Sequence, residues 1–329
     1  KAANGLLGHL VDILGVVATI LGVSVTIGFG VSQFVDGVYA VSGMEWLMSD
    51  KSEALKPSTV GLMAALLVIM VLSILSAVSG VGRGIKYLSN LNLVLSTILL
   101  LTFIIFGSFS FAMTTFGTGL IDYVLNFIPL SFGAYEPQSV EVFARSIPEV
   151  ANALSEEDFG AIYSSAMSPS GSLSVFTDEI PVSITGLDAE ALYAAGVQGR
   201  QFGWQVSSTT FYWSWWIAFS PFVGLFLARI SKGRTIREFI FGCVFAPAIV
   251  CFLWMTILGG TAIDLEMNGD AAGSLIAASD TDKLFATLKQ MISGVFLLVI
   301  TVMCVVMITT FLVTSADSGI LVMNTIMAG

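Results

Sequence analysis

Six long apolar stretches divide the chain, and polar segments separate them. Each holds about 20 apolar residues without strict alternation, the length that crosses a hydrocarbon core of about 30 Å as a helix. The stretches lie near residues 10–33, 58–80, 91–114, 206–228, 239–262 and 288–314. Because backbone groups in lipid must be hydrogen-bonded within their own segment, this pattern predicts six transmembrane helices and not barrel strands.

The composition also favours an all-α polytopic membrane protein. Of the 329 residues, 56% are hydrophobic and only 11% are charged, so a soluble fold would expose large apolar patches. One histidine, His9, and three cysteines in predicted spans leave little material for a membrane enzyme. The chain begins with Lys1 and is still apolar near residue 329, and we interpret it as a fragment of a longer protein.

The distribution of charge predicts the orientation of the spans. Basic residues gather in two short connections, which the positive-inside rule assigns to the cytoplasm. These residues are Arg83, Lys86, Arg229, Lys232, Arg234 and Arg237. Acidic residues, among them Asp36 after the first span, gather in the alternate connections. The net charge of −10 is therefore predicted to lie on the extracytoplasmic side.

Three regions follow from this pattern. Residues 1–133 hold three spans and a helix near 120–128, which either lies along the membrane interface or is a short core helix. Residues 134–205 form an extracytoplasmic insert, whose alternating runs between 173 and 185 fit small strands or ordered loop. Residues 206–329 hold three spans and the beginning of a further segment.

The fourth span carries a dense aromatic cluster. Residues 211–224 read Phe-Tyr-Trp-Ser-Trp-Trp-Ile-Ala-Phe-Ser-Pro-Phe-Val-Gly. On a helix, one face and its border hold Trp213, Trp216, Phe219 and Ser220. Trp215 points away from that face. Aromatic faces attract quaternary ammonium groups, which cannot donate hydrogen bonds, so the cluster predicts a binding site for a methylated cation. An interfacial tryptophan belt is the alternative.

A weak point in the helix is predicted beside this cluster. Pro221 removes one backbone N–H group, and Gly224 follows it within one turn. Helices of transporters often break near the middle of the membrane and offer backbone groups to a ligand. We therefore expect the fourth span to loosen at Pro221.

Hydroxyl groups and one carboxylate end the sixth span, where residues 314–318 read Thr-Ser-Ala-Asp-Ser. Adjacent hydroxyls supply oxygen ligands, so Thr314 and Ser315 predict a site for a small cation. Hydrogen bonds to their own helix or to a neighbouring helix explain the same residues equally well. Asp317 indicates a functional or paired group if it lies at membrane depth, but not if it lies at the cytoplasmic rim.

Four segments together carry a family signature. They are residues 211–239, which begin with the aromatic run, Ser79-Gly-Val-Gly-Arg-Gly-Ile-Lys-Tyr-Leu-Ser-Asn90, Gly259-Gly-Thr-Ala262 and Thr314-Ser-Ala-Asp-Ser318. These segments closely resemble the betaine/choline/carnitine transporter family, over essentially the whole chain except 134–203. The resemblance implies spans five to ten of twelve, and hence an incomplete LeuT-like fold with inverted repeats.

The resemblance also implies roles for the aromatic residues. Trp216 would be the tryptophan that meets the trimethylammonium group. Trp215 and Phe211 would lie toward the outer gate, and Phe226 toward the inner gate. Phe219 stands where the family usually has another tryptophan, and its smaller ring offers a weaker cation–π surface.

Two sodium sites are implied in the same way. The first would be formed by Phe311, Thr314 and Ser315, with Asp317 as a coupling residue. Thr19 and Phe222 would match part of a second site, but Val23 stands there in place of an expected hydroxyl. From the residues alone, Thr19 and Thr26 share a face of the first span, which favours helix packing.

These implications predict a secondary transporter in a bacterial inner membrane. It would take up a quaternary ammonium or sulfonium compatible solute of the glycine betaine, choline, carnitine or dimethylsulfoniopropionate type, with sodium as the coupling ion. The alternatives are a sodium-independent exchanger and a non-transporting osmosensor or receptor. We expect no enzymatic activity, no other cofactor and no nucleic-acid partner, and we consider a homotrimer in the lipid bilayer.

Overall fold

The computed structural model is mostly helical in the residues it describes, which are 5–49, 56–79, 81–167 and 194–328. Its helices are α1 Leu6–Ser42, α2 Thr59–Ser79, α3 Val81–Phe106, α4 Phe109–Leu125, α5 Phe127–Phe132, α6 Val140–Ser146, α7 Pro148–Ala153, α8 Glu156–Met167, α9 Val197–Trp204, α10 Thr210–Ile230, α11 Ile236–Ile240, α12 Ala246–Asn268, α13 Ser274–Ala277, α14 Lys283–Met291 and α15 Gly294–Ala328. A short antiparallel pair, β1 Met48–Ser49 and β2 Lys56–Pro57, lies between α1 and α2, with Met48 opposite Pro57.

Six helical stretches within the described residues are long and apolar enough to cross a membrane. They are Leu6–Ser42, Thr59–Val78, Tyr87–Phe106, Val197–Ala228, Ile236–Asn268 and Gly294–Met327. The fourth and fifth are continuous through π-helical turns at Gln205–Thr209 and Phe241–Phe245, where the helix widens by one residue. The prediction of an all-α, multi-pass membrane protein is therefore confirmed.

The third span ends earlier than the predicted range of 91–114. Helix α3 stops at Phe106, the N–H of Gly107 donates to the carbonyl of Phe103 at 2.9 Å, and α4 begins at Phe109. A Cβ atom on Gly107 would lie 2.7 Å from the hydroxyl oxygen of Thr261. Close approach of α12 therefore accompanies the break, a tertiary contact that the hydropathy of α3 does not reveal.

The last span ends later than predicted. Residues expected to begin a further segment instead continue α15 as far as Ala328. The polar run at 314–318 stays helical because its hydroxyls bond within the helix, as when Thr314 donates to the carbonyl of Thr310 at 3.0 Å. Polarity alone therefore does not end this helix.

Helices α1 and α15 form a long antiparallel pair. Four contacts, spaced about two turns apart, join the two helices, and each involves a glycine. Residue numbers rise along α1 as they fall along α15: Gly15 with Ile326, Val23 with Gly319, Gly30 with Leu312, and Gly37 with Val305. Small residues at these points let the backbones approach closely, as is usual where apolar helices associate in lipid. This pairing positions the polar end of the sixth span against the first span.

The second half of α10 also packs on α1 through a glycine. A Cβ atom added to Gly22 would lie 2.9 Å from Cδ2 of Phe219 and 3.1 Å from its Cα atom. A backbone atom cannot rotate out of the way as the end of a side chain can. An added Cβ atom on Gly22 would therefore require α10 to shift. Gly28 in the same helix has nothing within 4 Å of its Cβ position.

We expect Gly22→Ala to destabilise the protein by about 1–3 kcal/mol, the usual cost of overpacking a tight contact. Gly28→Ala is the matched control, and it should leave stability unchanged or raise it by up to about 1 kcal/mol through helix propensity. Thermal denaturation of the purified protein in detergent measures both effects. Equal melting temperatures for the two variants would contradict the close contact.

The chain divides into two compact units. The first contains residues 1–122 and 217–329, and its core is formed by α1, α2, α3, α12, α14 and α15. Helix α14 inserts Phe285 and Leu288 into this core, where both side chains are almost fully buried. A short amphipathic helix outside the spans is thereby held against the bundle.

The second unit, residues 123–216, has its own small core. Phe143 lies in it against Phe159 and Tyr163, with each pair of ring centroids 5.7 Å apart. The amide of Gln138 donates to the carbonyl of Ala195 at 2.7 Å and accepts from the N–H of Gly199 at 3.0 Å. The described part of the predicted insert is therefore helical, while the alternating runs between 173 and 185 lie outside the described residues.

Candidate functional site

The first half of α10 separates its aromatic residues onto different faces. Trp215 packs against Phe211 and Tyr212, at ring-centroid distances of 6.1 and 6.2 Å. Trp213 and Trp216 are instead 61% and 68% exposed. This agrees with the helical phase expected from the sequence, and the other described residues leave most of both tryptophan side chains uncovered.

The second half of α10 continues as a ladder of phenylalanines. The rings of Phe219 and Phe222 are 4.8 Å apart, and those of Phe222 and Phe226 are 6.3 Å apart and nearly parallel. Phe219 also touches α1 at Gly22. This part of the predicted ligand face therefore serves helix packing as well, and a larger ring at Phe219 would have to fit beside Gly22.

The predicted loosening at Pro221 is wrong. Helix α10 runs as α-helix through Pro221, which lies inside it. The missing N–H of Pro221 would leave the carbonyl of Ile217 without its usual partner, but the hydroxyl of Ser220 donates to that carbonyl at 2.8 Å. Ser220, a predicted substrate ligand, thus donates its hydroxyl proton within its own helix. Only the lone pairs of its oxygen are left for other contacts.

Ser315 lines a cavity of about 410 Å³ in the first unit. Helix α1 contributes Thr26 and Gln33 to its wall, and α15 contributes Phe311. The antiparallel pairing of α1 with α15 brings these residues together, although they are far apart in sequence. The cavity places two hydroxyls and an amide among apolar and aromatic groups.

Thr314 lines a second cavity, of about 640 Å³. Its polar lining on α3 is formed by Ser89, Asn92, Ser96 and Thr97. The Asn92 amide oxygen accepts a hydrogen bond from Thr310, which links α3 to α15. Phe311 and Trp254 line both cavities, so these two rings form their shared wall. Neither lining, as described, includes a charged side chain.

The hydroxyls at these positions bond to their own helices. Thr314 donates to the carbonyls of Thr310 and Phe311, both at 3.0 Å, and Thr26 donates to the carbonyl of Gly22 at 3.1 Å. A hydroxyl that donates its single proton in this way still has oxygen lone pairs to offer a cation. Back-bonding and cation binding are therefore compatible here.

The residues of the predicted second sodium site are buried in the same unit. Thr19 is fully buried and donates to the carbonyl of Gly15 at 2.7 Å, and Phe222 is buried too. Both lie one turn from the contact between Gly22 and Phe219. Val23 is occupied by packing against Gly319 on α15. Helix packing accounts for these observations, and the second site stays a prediction.

Asp317 is buried, with an exposed fraction of 3%. One carboxylate oxygen accepts a hydrogen bond from Ser76 on α2 at 2.6 Å, and the other has no partner among the described residues. One turn earlier on α2, the hydroxyl of Ser73 is buried as well and has no hydrogen-bond partner within the described part of the chain. The carboxylate is therefore an interhelical group and not a solvated residue at the membrane rim.

Several polar residues of these cavities escaped the sequence analysis. Gln33 and Asn92 lie near the ends of their predicted spans, Trp254 lies within the fifth span, and Thr26 was interpreted as a packing residue. Their common signal is a polar or indole side chain inside a transmembrane helix, which is costly in lipid and usually has a partner. Only the packing of α1, α3, α12 and α15 shows which of them face the same cavity.

The helices define a polytopic membrane protein, and its two cavities beside Phe311 have described linings that are uncharged and partly aromatic. The sequence pattern of the BCCT family, the betaine/carnitine/choline family transporters, matches residues 1–146 and 169–329. The chain belongs to this family. The family prediction is thereby confirmed, and a family of transporters agrees with the expectation that the chain is not an enzyme.

Relatives within the family come from several bacteria. The chain is 32% identical to a glycine betaine/proline/choline transporter of Vibrio parahaemolyticus over 99% of its own length and 45% of the relative. It is 31% identical to the glycine betaine transporter OpuD of Bacillus subtilis over 98% of its own length and 48% of the relative. The chain thus spans about half the length of these curated relatives. Bacterial relatives agree with a multi-pass protein of the bacterial inner membrane.

Proposed function

We propose that the protein takes up a quaternary ammonium or sulfonium compatible solute together with sodium. Membership of a transporter family supports the class of activity, and the relatives named as glycine betaine transporters support the kind of solute. The observation that carries the substrate class is the pair of open tryptophans, Trp213 and Trp216, on one helix of a membrane-embedded protein. Indole faces are the strongest aromatic partners for a cation that cannot donate hydrogen bonds.

Sodium coupling rests on the neutral oxygens beside Phe311. Thr314 and Ser315 lie next to each other on α15, and the described linings of their cavities supply hydroxyl and amide oxygens but no charged side chain. Such a lining suits a monovalent ion, because an ion of higher charge would call for carboxylate ligands. Asp317 lies less than one turn further along α15 and links it to Ser76 on α2, so it would couple the cation site to the packing of α2.

The arrangement of the spans would allow alternating access. We propose that the helices form part of a LeuT-like inverted repeat, in which one bundle rocks against another around a site near the middle of the membrane. The antiparallel pair of α1 and α15 would form one rigid contact in such a motion. The homotrimer also remains a proposal.

Uptake of four labelled solutes tests the proposal. Cells that express the protein and lack other uptake systems should accumulate glycine betaine, choline, carnitine or dimethylsulfoniopropionate, and at least one of them should require sodium. Unmethylated glycine is the matched control, and it should not be taken up, because its ammonium group would have to give up its hydrogen bonds to water at an aromatic site. Sodium-independent uptake would favour the exchanger, and uptake of none of the methylated solutes would contradict the proposed substrate class.

A further inference from the structure

The first half of α3 has one buried side chain, and that side chain is polar. Between residues 87 and 98, Asn92 alone is buried, with an exposed fraction of 3%, while the leucines on either side of it are exposed. Further along the helix, Leu99 and Phe103 are almost fully buried in the core. The second half of α3 is thus anchored by apolar packing, whereas the buried contact of the first half is polar.

Asn92 joins α3 to α15. Its amide oxygen accepts a hydrogen bond from the hydroxyl of Thr310, which lies 218 residues away in the sequence. One turn further along α3, the hydroxyl of Ser96 lies 3.5 Å from the sulfur of Met307, which is a weak acceptor. The two helices therefore meet through a pair of polar contacts beside the cavity of Thr314, which Asn92 and Ser96 also line.

The hydroxyl of Thr310 has more acceptors than protons. It carries a single proton, and besides Asn92 it lies 3.0 Å from the carbonyl oxygen of Val306 and 2.9 Å from that of Met307. Either carbonyl can accept the proton if α3 moves away. Separation of the two helices would therefore leave no unsatisfied donor at Thr310, and the usual cost of an unpaired buried group would not arise there.

The amide of Asn92 can also be satisfied after separation. The cavity beside it, of about 640 Å³, has room for several water molecules, and Ser89, Ser96 and Thr97 of α3 line it as well. Water that enters the cavity would replace Thr310 as the hydrogen-bond partner of Asn92. The contact between α3 and α15 can thus open at low cost on both sides.

The contact between α2 and α15 has the opposite character. Ser76 on α2 donates to a carboxylate oxygen of Asp317 at 2.6 Å, and Asp317 is buried. The other carboxylate oxygen has no partner among the described residues. Loss of the hydrogen bond would leave the buried carboxylate without its described donor, which is costly. We therefore expect α2 to stay with α15 when α3 separates from it.

We propose that the hydrogen bond between Asn92 and Thr310 is a latch on the cavity of Thr314. While the latch is made, the first half of α3 lies on α15 and closes the cavity. When it breaks, Thr310 donates its proton within its own helix, and the cation at Thr314 leaves along the hydroxyl residues of α3 toward the basic connection at 83–86. Asn92 is thus a positioning residue for the cation site, and its link to sodium rests on the proposed function.

Thr310→Val tests the latch, because valine keeps the shape of threonine but lacks the hydroxyl. This variant should raise the sodium concentration for half-maximal uptake by about two- to tenfold, the factor that corresponds to one net hydrogen bond. Thr310→Ser keeps the donor and should restore the wild-type value. No effect of Thr310→Val, or the same loss in Thr310→Ser, would overturn the latch.

Removal of the acceptor should have the same effect as removal of the donor. Asn92→Ala should match Thr310→Val, and the double variant should be no worse than either single variant, because both substitutions remove the same hydrogen bond. Asn90→Ala is the matched control, since Asn90 is an exposed asparagine on the same helix, and its sodium curve should be that of the wild type. Additive losses in the double variant would contradict a direct link between Asn92 and Thr310.

A second measurement follows the contact itself and requires no transport. Ser96→Cys places a thiol at a half-buried position between α3 and α15, where a water-soluble methanethiosulfonate reagent can reach it once the helices separate. Addition of Thr310→Val should raise its rate of modification by about two- to tenfold. Thr97→Cys, at the exposed neighbouring position, should react at the same rate in both backgrounds. Mass spectrometry of the purified protein distinguishes these thiols from the native cysteines.

The thiol measurement separates failure of the latch from failure of the proposed function. An equal rate for Ser96→Cys with and without Thr310→Val would overturn the latch. Sodium, compared with potassium at the same ionic strength, should slow the modification of Ser96→Cys when Thr310 is intact. If Thr310→Val raises the rate but sodium does not change it, the latch is supported and sodium coupling alone is contradicted.

Discussion

Trp216→Ala is expected to weaken binding of glycine betaine by roughly tenfold to thirtyfold. A desolvated cation–π contact contributes about 2 kcal/mol, and each 1.4 kcal/mol corresponds to about a tenfold change in affinity. The Trp216 side chain is 68% exposed on α10, so its removal should not disturb the packing of the described residues. Equilibrium binding of the labelled solute to the purified protein, in the presence of sodium, measures the effect.

Trp204→Ala is the matched control for this prediction. Trp204 lies at the end of α9, more than three helical turns before Trp216, and its side chain is 60% exposed, so the variant loses an indole of similar exposure. We expect its affinity to stay within about twofold of the wild type, a difference of roughly 0.4 kcal/mol. Equal losses in the two variants would mean that Trp216 acts as an interfacial anchor and not as a ligand.

Thr314→Ala and Ser315→Ala are each expected to raise the sodium concentration for half-maximal uptake by roughly ten- to a hundredfold. Contacts of a neutral oxygen with a charged group contribute about 1.5–3 kcal/mol, and this range sets the factor. The back-bond of Thr314 to the carbonyls of Thr310 and Phe311 leaves lone pairs on its oxygen for the ion. Initial rates of uptake measured against sodium concentration give the shift.

Thr309→Ala is the control that distinguishes loss of a sodium ligand from loss of a hydrogen bond between a hydroxyl and its own helix. Thr309 donates to the carbonyl of Val305 at 2.8 Å, as Thr314 does to its own helix, but it lines neither cavity beside Phe311. Its sodium curve should match that of the wild type. If Thr314→Ala and Ser315→Ala also leave the curve unchanged, the hydroxyls serve helix packing and sodium coupling is contradicted.

Hydropathy predicted the number of spans because the thickness of the membrane fixes the length of each apolar window. It predicted the ends of the helices less well. Helix α1 continues past its apolar window to Ser42, and α3 stops at Phe106, short of the predicted 114. These ends depend on contacts with distant residues, such as Thr261 against Gly107, and no local pattern encodes them.

Helical phase predicted which side chains share a face, as the separation of Trp215 from Trp216 shows. It did not predict which helices face each other. The cavity of Ser315 takes Thr26 and Gln33 from α1 only because glycines let α1 and α15 pack closely. The burial of Asp36 was not predicted for the same reason, since α14 packs against the end of α1 from a distant part of the sequence.

Transport in liposomes tests the central proposal most directly. The purified protein is reconstituted into sodium-free vesicles, and labelled glycine betaine is added outside with an inward sodium gradient. Sodium symport predicts that the solute accumulates inside above its outside concentration and that a sodium ionophore abolishes this accumulation. Flux that needs solute on both sides and persists without sodium would contradict symport in favour of exchange, and binding without any flux would contradict transport itself.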